Sequence, residues 1–355
     1  MPWSCEALVR LARGAVPSEL VGAAAWPPQG TFARAWPVRI ASIGGIECRL
    51  GARDPGAVDF AFCIAAGDVR LFRDARPPAG DGEDASAGVW PFLARWADPA
   101  SPLHNHVPLV WLEFDHGPLL AGRAVPFVTF MVSDALAVGP GRNGDGRVVV
   151  GELLRGGLEA LTGRIEPDRL EGLLRCLTAL PDEGRLRHVA AMPHRGTDAV
   201  RLIVSLRRSN VADYLRRLAS EASRDALDAT LAGLDPGDGM VSVNLDVEDC
   251  VGPKVGVEFY WPTSPLEDER WSPLLDGLVA AGRCTPIQRA ALSAWPTREA
   301  DGPPVRVGEL VRQLLVKVVF WSGRMREAKA YLAFKPRLRL FQSQAHRLRP
   351  TAPGS

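Results

Sequence analysis

Ten short stretches of the chain alternate apolar and polar residues at every second position. They come in five pairs, near 38–64, 109–132, 186–207, 241–261 and 315–334. Successive residues of a strand face opposite sides, so each pair predicts a β-hairpin with one apolar and one polar face. In 241–248 the apolar row is Val241, Val243, Leu245 and Val247, and the polar row is Ser242, Asn244, Asp246 and Glu248. Its partner sets Val255, Val257, Phe259 and Trp261 against Lys254, Gly256, Glu258 and Tyr260. The stretch 200–207 opposes Val200, Leu202, Val204 and Leu206 to Arg201, Ile203, Ser205 and Arg207. In 110–115, Val110, Leu112 and Phe114 oppose Trp111, Glu113 and Asp115. The last pair brings Lys317, Trp321, Lys329 and Tyr331 onto one row.

Between the pairs the apolar spacing changes to three and four residues, the period of a helix that lays one stripe on a sheet. Such stretches run over 150–163, 167–180, 211–234 and 272–283, with another near the start at 4–13. Pro167 suits a first helical position, Ser209 or Asn210 can cap 211–234, and Thr285-Pro286 reads as an N-cap followed by Pro. The sum is an α+β chain of five αββ-like repeats, forming a ten-stranded antiparallel barrel or curved sheet ringed by helices. In an open sheet the polar rows face water. In a closed barrel they line a chamber, and the large aromatics among them (Trp111, Tyr260, Trp321, Tyr331) favour the chamber, because exposed on an open face they would form a poor surface. We expect one such domain over 1–341, a flexible acidic, Pro/Gly-rich loop at 74–87, and a polar tail over 342–355.

Composition narrows the function classes. The chain has 355 residues, 46% of them hydrophobic, enough for a large core, and its formal net charge is only +1. No basic stripe calls for nucleic acid. No apolar run approaches a membrane span, and the N-terminus lacks the basic and apolar regions of a secretory signal. The six cysteines are scattered without a CxxC pair, which points to free thiols in a reducing, cytoplasmic setting.

Several local patterns carry no chemistry by themselves. His104-Asn105-His106, with His116 nearby, has metal-like spacing only on a strand, and it reads as a loop entering one. The glycines of 139–146 lack the Gly-Lys-Ser/Thr of a phosphate loop and read as a turn-rich connection. Cys48 and Cys63 lie in strands with no base located for them, and His188 falls on an apolar row as a packed residue. No G-x-S-x-G elbow is present.

The inner rows hold the candidate chemistry. Seven acids (Glu47, Asp59, Glu113, Asp115, Asp246, Glu248, Glu258) face seven bases (Arg49, Arg187, Arg201, Arg207, Lys254, Lys317, Lys329). Two opposite charges about 4 Å apart gain roughly 4 kcal/mol at an effective dielectric near 20, so these groups should pair with one another.

Five αββ units with apolar rows outward and a polar chamber inward resemble the aromatic prenyltransferase barrel. Lys329-Ala330-Tyr331 resembles the K-x-Y strand pattern with which indole prenyltransferases hold an allylic diphosphate. By that resemblance Lys317 supports the diphosphate and Glu113, in VWLEFD, orients an electron-rich ring. The chain departs from the pattern where the fourth hairpin reads Glu258-Phe259-Tyr260, and it has no D-D-x-x-D cluster for Mg²⁺. A diphosphate carries about three negative charges and needs several converging cations, against which a balanced lining argues. The strand cores VWLEFD and VGVEFYWP also resemble those of crocagin-type peptide-binding proteins from modified-peptide gene clusters.

The expected function is therefore that of a non-catalytic accessory protein that binds a precursor peptide while partner enzymes modify it, without cofactor. The alternative is an aromatic (Trp/Tyr) prenyltransferase, the one case that would involve Mg²⁺. The candidate ligand-binding residues are Trp111, Glu113, Arg201, Arg207, Glu258, Tyr260, Lys317, Trp321, Lys329 and Tyr331. Nothing in the sequence excludes a homodimer.

Overall fold

A computed structural model describes residues 3–36, 41–51, 58–72, 88–121, 124, 126–134, 136, 144–218, 224–234, 237–261, 268–295 and 310–336. The strands are β1 (Ile43–Arg49), β2 (Val58–Ala65), β3 (Leu109–Phe114), β4 (Pro126–Met131), β5 (Arg185–Ala191), β6 (Val200–Arg207), β7 (Met240–Val247), β8 (Val251–Tyr260), β9 (Leu310–Trp321) and β10 (Arg324–Pro336). They form a closed antiparallel barrel in which each strand lies beside its sequence neighbours and β1 pairs with β10. Closure leaves no free sheet edge.

Two helices precede each hairpin. They are α1 (Cys5–Ala15) and α2 (Thr31–Ala35), α3 (Val89–Ala97) and α4 (Pro102–His106), α6 (Gly144–Thr162) and α7 (Pro167–Thr178), α8 (Val211–Arg217) and α9 (Arg224–Leu234), and α10 (Trp271–Ala280) and α11 (Pro286–Ala294). A further short helix, α5 (His116–Leu120), joins β3 to β4. The α+β architecture of five helix-then-hairpin units is the one the alternating rows predict.

The local sequence explains the joints. The Ser4 hydroxyl accepts from the Ala7 amide and caps α1. Thr285 and Gln288 form a reciprocal capping box at α11, with Pro286 in the first turn. Ser322 and Gly323 both take positive φ, +47° and +76°, the backbone of a tight two-residue hairpin turn, so the long β9 and β10 pair almost from end to end.

The main core lies outside the barrel, between strands and helices. Outward-facing Ile46, Leu112, Val204, Val243, Val257, Val316 and Ala330 are fully buried there. Phe32 of α2 packs edge-on against Phe62 and Phe114, each at 5.1 Å between ring centroids, and Trp36 stacks on Trp90 at 5.1 Å. The buried aromatic donors are satisfied: Trp96 Nε1 donates to the Val107 carbonyl, Trp295 Nε1 to that of Gln313, and Tyr214 Oη to that of Cys176.

Three sequence expectations need correction. The stretch 211–234 holds two helices, α8 and α9, rather than one. His104 and His106 sit in the short helix α4, not in a loop entering a strand, and His104 Nδ1 lies 3.1 Å from the Trp96 carbonyl oxygen. Helix α6 begins at Gly144, so the end of the glycine-rich stretch is helical. The loop 74–87 and the tail from 342 fall outside the described residues. No described helix is long and apolar enough to cross a membrane.

Candidate functional site

The inward rows enclose a cavity of about 300 Å³. That volume is at the lower end for small-ligand sites. Its lining divides along the barrel axis. Charged groups gather where β1, β3 and β7 end and β2, β6 and β8 begin: Glu47, Glu113 and Asp246 from the former, Asp59, Arg201 and Lys254 from the latter. Towards the other end the lining turns apolar and aromatic, with Ile43, Ala61, Trp111, Ile203 and Leu315. Small residues make this possible. Gly45 and Ala61 stand opposite each other in register, and a Cβ on Gly45 would lie 3.9 Å from the Trp111 ring, so the indole rests against them.

The charges are mostly paired. Lys329 Nζ lies 2.5 Å from Glu47 Oε1, joining β10 to β1. Lys317 Nζ lies 3.2 Å from Glu258 and donates to Asn244 Oδ1 at 2.5 Å. Arg201 grips Asp246 with two bonds, Nε at 2.7 Å and Nη2 at 3.0 Å. Arg195 holds Asp115 through Nε at 2.9 Å and through Nη2, and its guanidinium stacks 4.3 Å over the Phe127 ring. Glu113 accepts from Thr129 Oγ1 at 2.5 Å. Tyr331 stands opposite Glu47 in register, with its ring centroid 6.0 Å from the Lys317 ammonium.

Burial sets the protonation of this ring of groups. Burial alone would raise Glu47, but the Lys329 and Lys317 ammoniums outweigh it and hold the carboxyl at about 2. Asp59 stands opposite Glu47 in register, and burial followed by that like charge pushes it up to about 6. Burial likewise raises Glu113. It lowers His188 to about 4, so the imidazole is neutral at pH 7.

Of the residues singled out from sequence, Trp111, Glu113, Arg201, Glu258, Tyr260, Lys317, Lys329 and Tyr331 line this cavity together. Arg207 does not: it ends β6, exposed. Trp321 ends β9, 50% exposed and away from the lining. The pairing of seven acids with seven bases also contracts. Arg49 and Glu248 lie at the exposed strand ends, and Arg187 turns away to Asp134 at 2.8 Å.

Two titratable lining residues lie off the inner rows that alternation assigns. Arg195 comes from the 3₁₀ turn between β5 and β6, where no alternation marks an inward position. His188 faces inward because a bulge between Leu186 and His188 inserts Arg187 and flips the row. The bulge has no sequence marker beyond the loss of clean alternation after Leu186.

Cys48 and Cys63 are buried and free, and burial pushes the Cys63 thiol up to about 12, so it does not supply a thiolate at neutral pH. Among the described residues, no group of three or more His, Cys, Asp or Glu side chains is placed to hold a metal ion. No protein-family model matches the chain, and no curated protein matches it significantly. The site must be read from its own chemistry.

Proposed function

We propose that the barrel is a peptide-binding chamber and that the protein acts as a non-catalytic accessory factor in making a modified peptide natural product. One observation carries this reading: four of the cations at the cavity, Lys317, Lys329, Arg201 and Arg195, are each already held by a carboxylate. An allylic diphosphate would have to displace those carboxylates or sit beside them in a water-poor space, at a steep electrostatic cost. A peptide segment is near neutral and offers donors, acceptors and an apolar side chain at once. It suits a lining charged at one end and aromatic at the other.

Calorimetry with the precursor peptide encoded beside the gene tests the reading. Saturable binding at micromolar concentration is the expected result; absence of heat at high micromolar concentration rejects it.

A second reading has one specific observation in its favour. Lys317, Lys329 and Tyr331 share one cavity wall, with the Lys317 ammonium 6.0 Å from the Tyr331 ring centroid, and Glu113 lines the same cavity. In an aromatic prenyltransferase of the barrel type these three would hold the diphosphate and Glu113 would orient the acceptor ring. Incubation with dimethylallyl and geranyl diphosphates plus Trp peptides decides between the readings, since only an enzyme adds the prenyl mass.

A further inference from the structure

We infer that the cavity contains a carboxylate subsite, formed by the Lys254 ammonium and the Asn244 side-chain amide, that takes the C-terminal carboxylate of a peptide. The inference rests on the peptide-binding reading and names which part of the peptide enters.

Asn244 is 3% exposed and lines the cavity from β7. Its Oδ1 accepts from Lys317 Nζ. An ammonium can only donate, so this bond fixes which end of the amide faces Lys317 and leaves Nδ2 as the outward donor. That Nδ2 is buried and has no hydrogen-bond partner among the described residues. A buried donor left unpaired is costly, and a binding site is one of the few places where a fold keeps one.

Lys254 lies on the neighbouring strand. It sits on β8 two residues before Gly256, on the same inward row, and Gly256 is the register partner of Asn244. Glycine at 256 puts no side chain between the two donors; a Cβ there would meet the Lys317 stem at 2.6 Å and Asn244 Cβ at 3.2 Å. No ion pair or hydrogen bond holds the Lys254 ammonium among the described residues; Asp246, the acid whose charge acts on it, is taken by both bonds from Arg201. One uncommitted cation and one uncommitted neutral donor match the single charge and two oxygens of a carboxylate. A diphosphate would bring further charge toward Asp246 and Glu47 with no cation left to meet it. Ile203 and Val319, the register neighbours of Asn244 and Gly256, supply apolar wall for the last side chain of the peptide.

The test compares two N-acetylated tetrapeptides ending in leucine, one a free acid and one a carboxamide, by calorimetry on the full chain. The free acid should bind roughly ten- to a hundredfold more tightly. Lys254→Met, checked for an unchanged thermal transition, should erase most of that ratio by weakening the free acid far more than the carboxamide. Equal affinity of acid and carboxamide for the unaltered protein overturns the subsite but leaves peptide binding standing. Failure of both to bind overturns the peptide reading and the subsite together. Geranyl diphosphate binding more tightly than the free acid, and losing affinity in Lys254→Met, overturns the carboxylate assignment.

Discussion

The Lys329 ammonium rests 2.5 Å from the Glu47 carboxylate, and this contact ties the last strand of the barrel to the first. The two side chains lie inside, where each is less than one-fifth exposed, so the pair cannot be treated as a surface ion pair of negligible worth. Glu47→Gln would leave the Lys329 charge without its main partner and should destabilise the fold by about 3 kcal/mol at pH 7. The pH dependence has a definite sign. A carboxyl held at about 2, against an ordinary value near 4.5, contributes fully above about pH 4.5 and loses its contribution as pH falls toward 2. Urea denaturation of both proteins across pH 2–8 checks this. The difference should shrink steadily below pH 4.5, and a constant gap would show that the pair is not its source.

Asp59 behaves in the opposite way. Its folded value of about 6 lies above the ordinary 3.8, so between those limits the folded protein binds more protons than the unfolded chain. Stability attributable to Asp59 therefore falls as pH rises through that window. Asp59→Asn removes a buried charge facing Glu47, yet its Oδ1 can still accept from the His116 amide, a bond of 2.8 Å. The variant should be more stable than the parent by about 2 kcal/mol above pH 6 and nearly equal to it near pH 4. Thermal melts at pH 7.5 and 4.0 measure it; a lower melting temperature at pH 7.5 contradicts the assignment.

Lys317 is coupled to Glu258 and to Asn244 at once. Lys317→Met alone strands a carboxylate and an amide oxygen, at a cost of about 3 kcal/mol. Adding Glu258→Gln removes the stranded charge, so the double variant should lose clearly less than the sum of the single ones. A double-mutant cycle in urea should give a coupling of about 1.5 kcal/mol or more. Additivity within about 0.5 kcal/mol would mean that the two groups do not interact.

The barrel was readable because strand alternation has a period of two and was repeated ten times, so each inner row could be assigned from its own residues. Glu47, Asp59, Glu113, Asp246 and Lys317 all sit where alternation puts them. The assignment fails where that period breaks or ends. A single inserted residue at Arg187 reverses the row and brings His188 inside. Arg195 enters from a turn, to which no period applies. Arg207 and Trp321 keep the inward parity but stand at strand ends, beyond the reach of the cavity. Parity gives the face of the sheet, whereas depth along the barrel depends on how the strands are staggered against one another. The division into charged and aromatic ends follows from that stagger and is invisible in any one strand.

Glu113 separates the two functional readings most sharply. It lies in the cavity wall between Ala61 and Phe127 in register, its carboxyl raised by burial despite the Thr129 hydroxyl and the Arg195 charge. Burial favours the uncharged form of this carboxyl, and glutamine is uncharged with nearly its shape. Glu113→Gln should therefore change stability by less than about 1 kcal/mol, with Thr129 Oγ1 still able to donate to the amide oxygen. In a peptide-binding chamber the same substitution should alter the affinity for a bound peptide by no more than roughly tenfold, the worth of one neutral hydrogen bond. In a prenyltransferase that uses Glu113 to orient an electron-rich ring, it should abolish turnover while diphosphate affinity persists. Mass spectrometry of Trp peptides after incubation with geranyl diphosphate, run beside calorimetry on the same two proteins, reads both quantities. Prenylated product from the parent that disappears in Glu113→Gln would establish the enzyme, whereas peptide affinity that shifts modestly in protein that never adds the prenyl mass is the outcome expected of the paired, balanced lining.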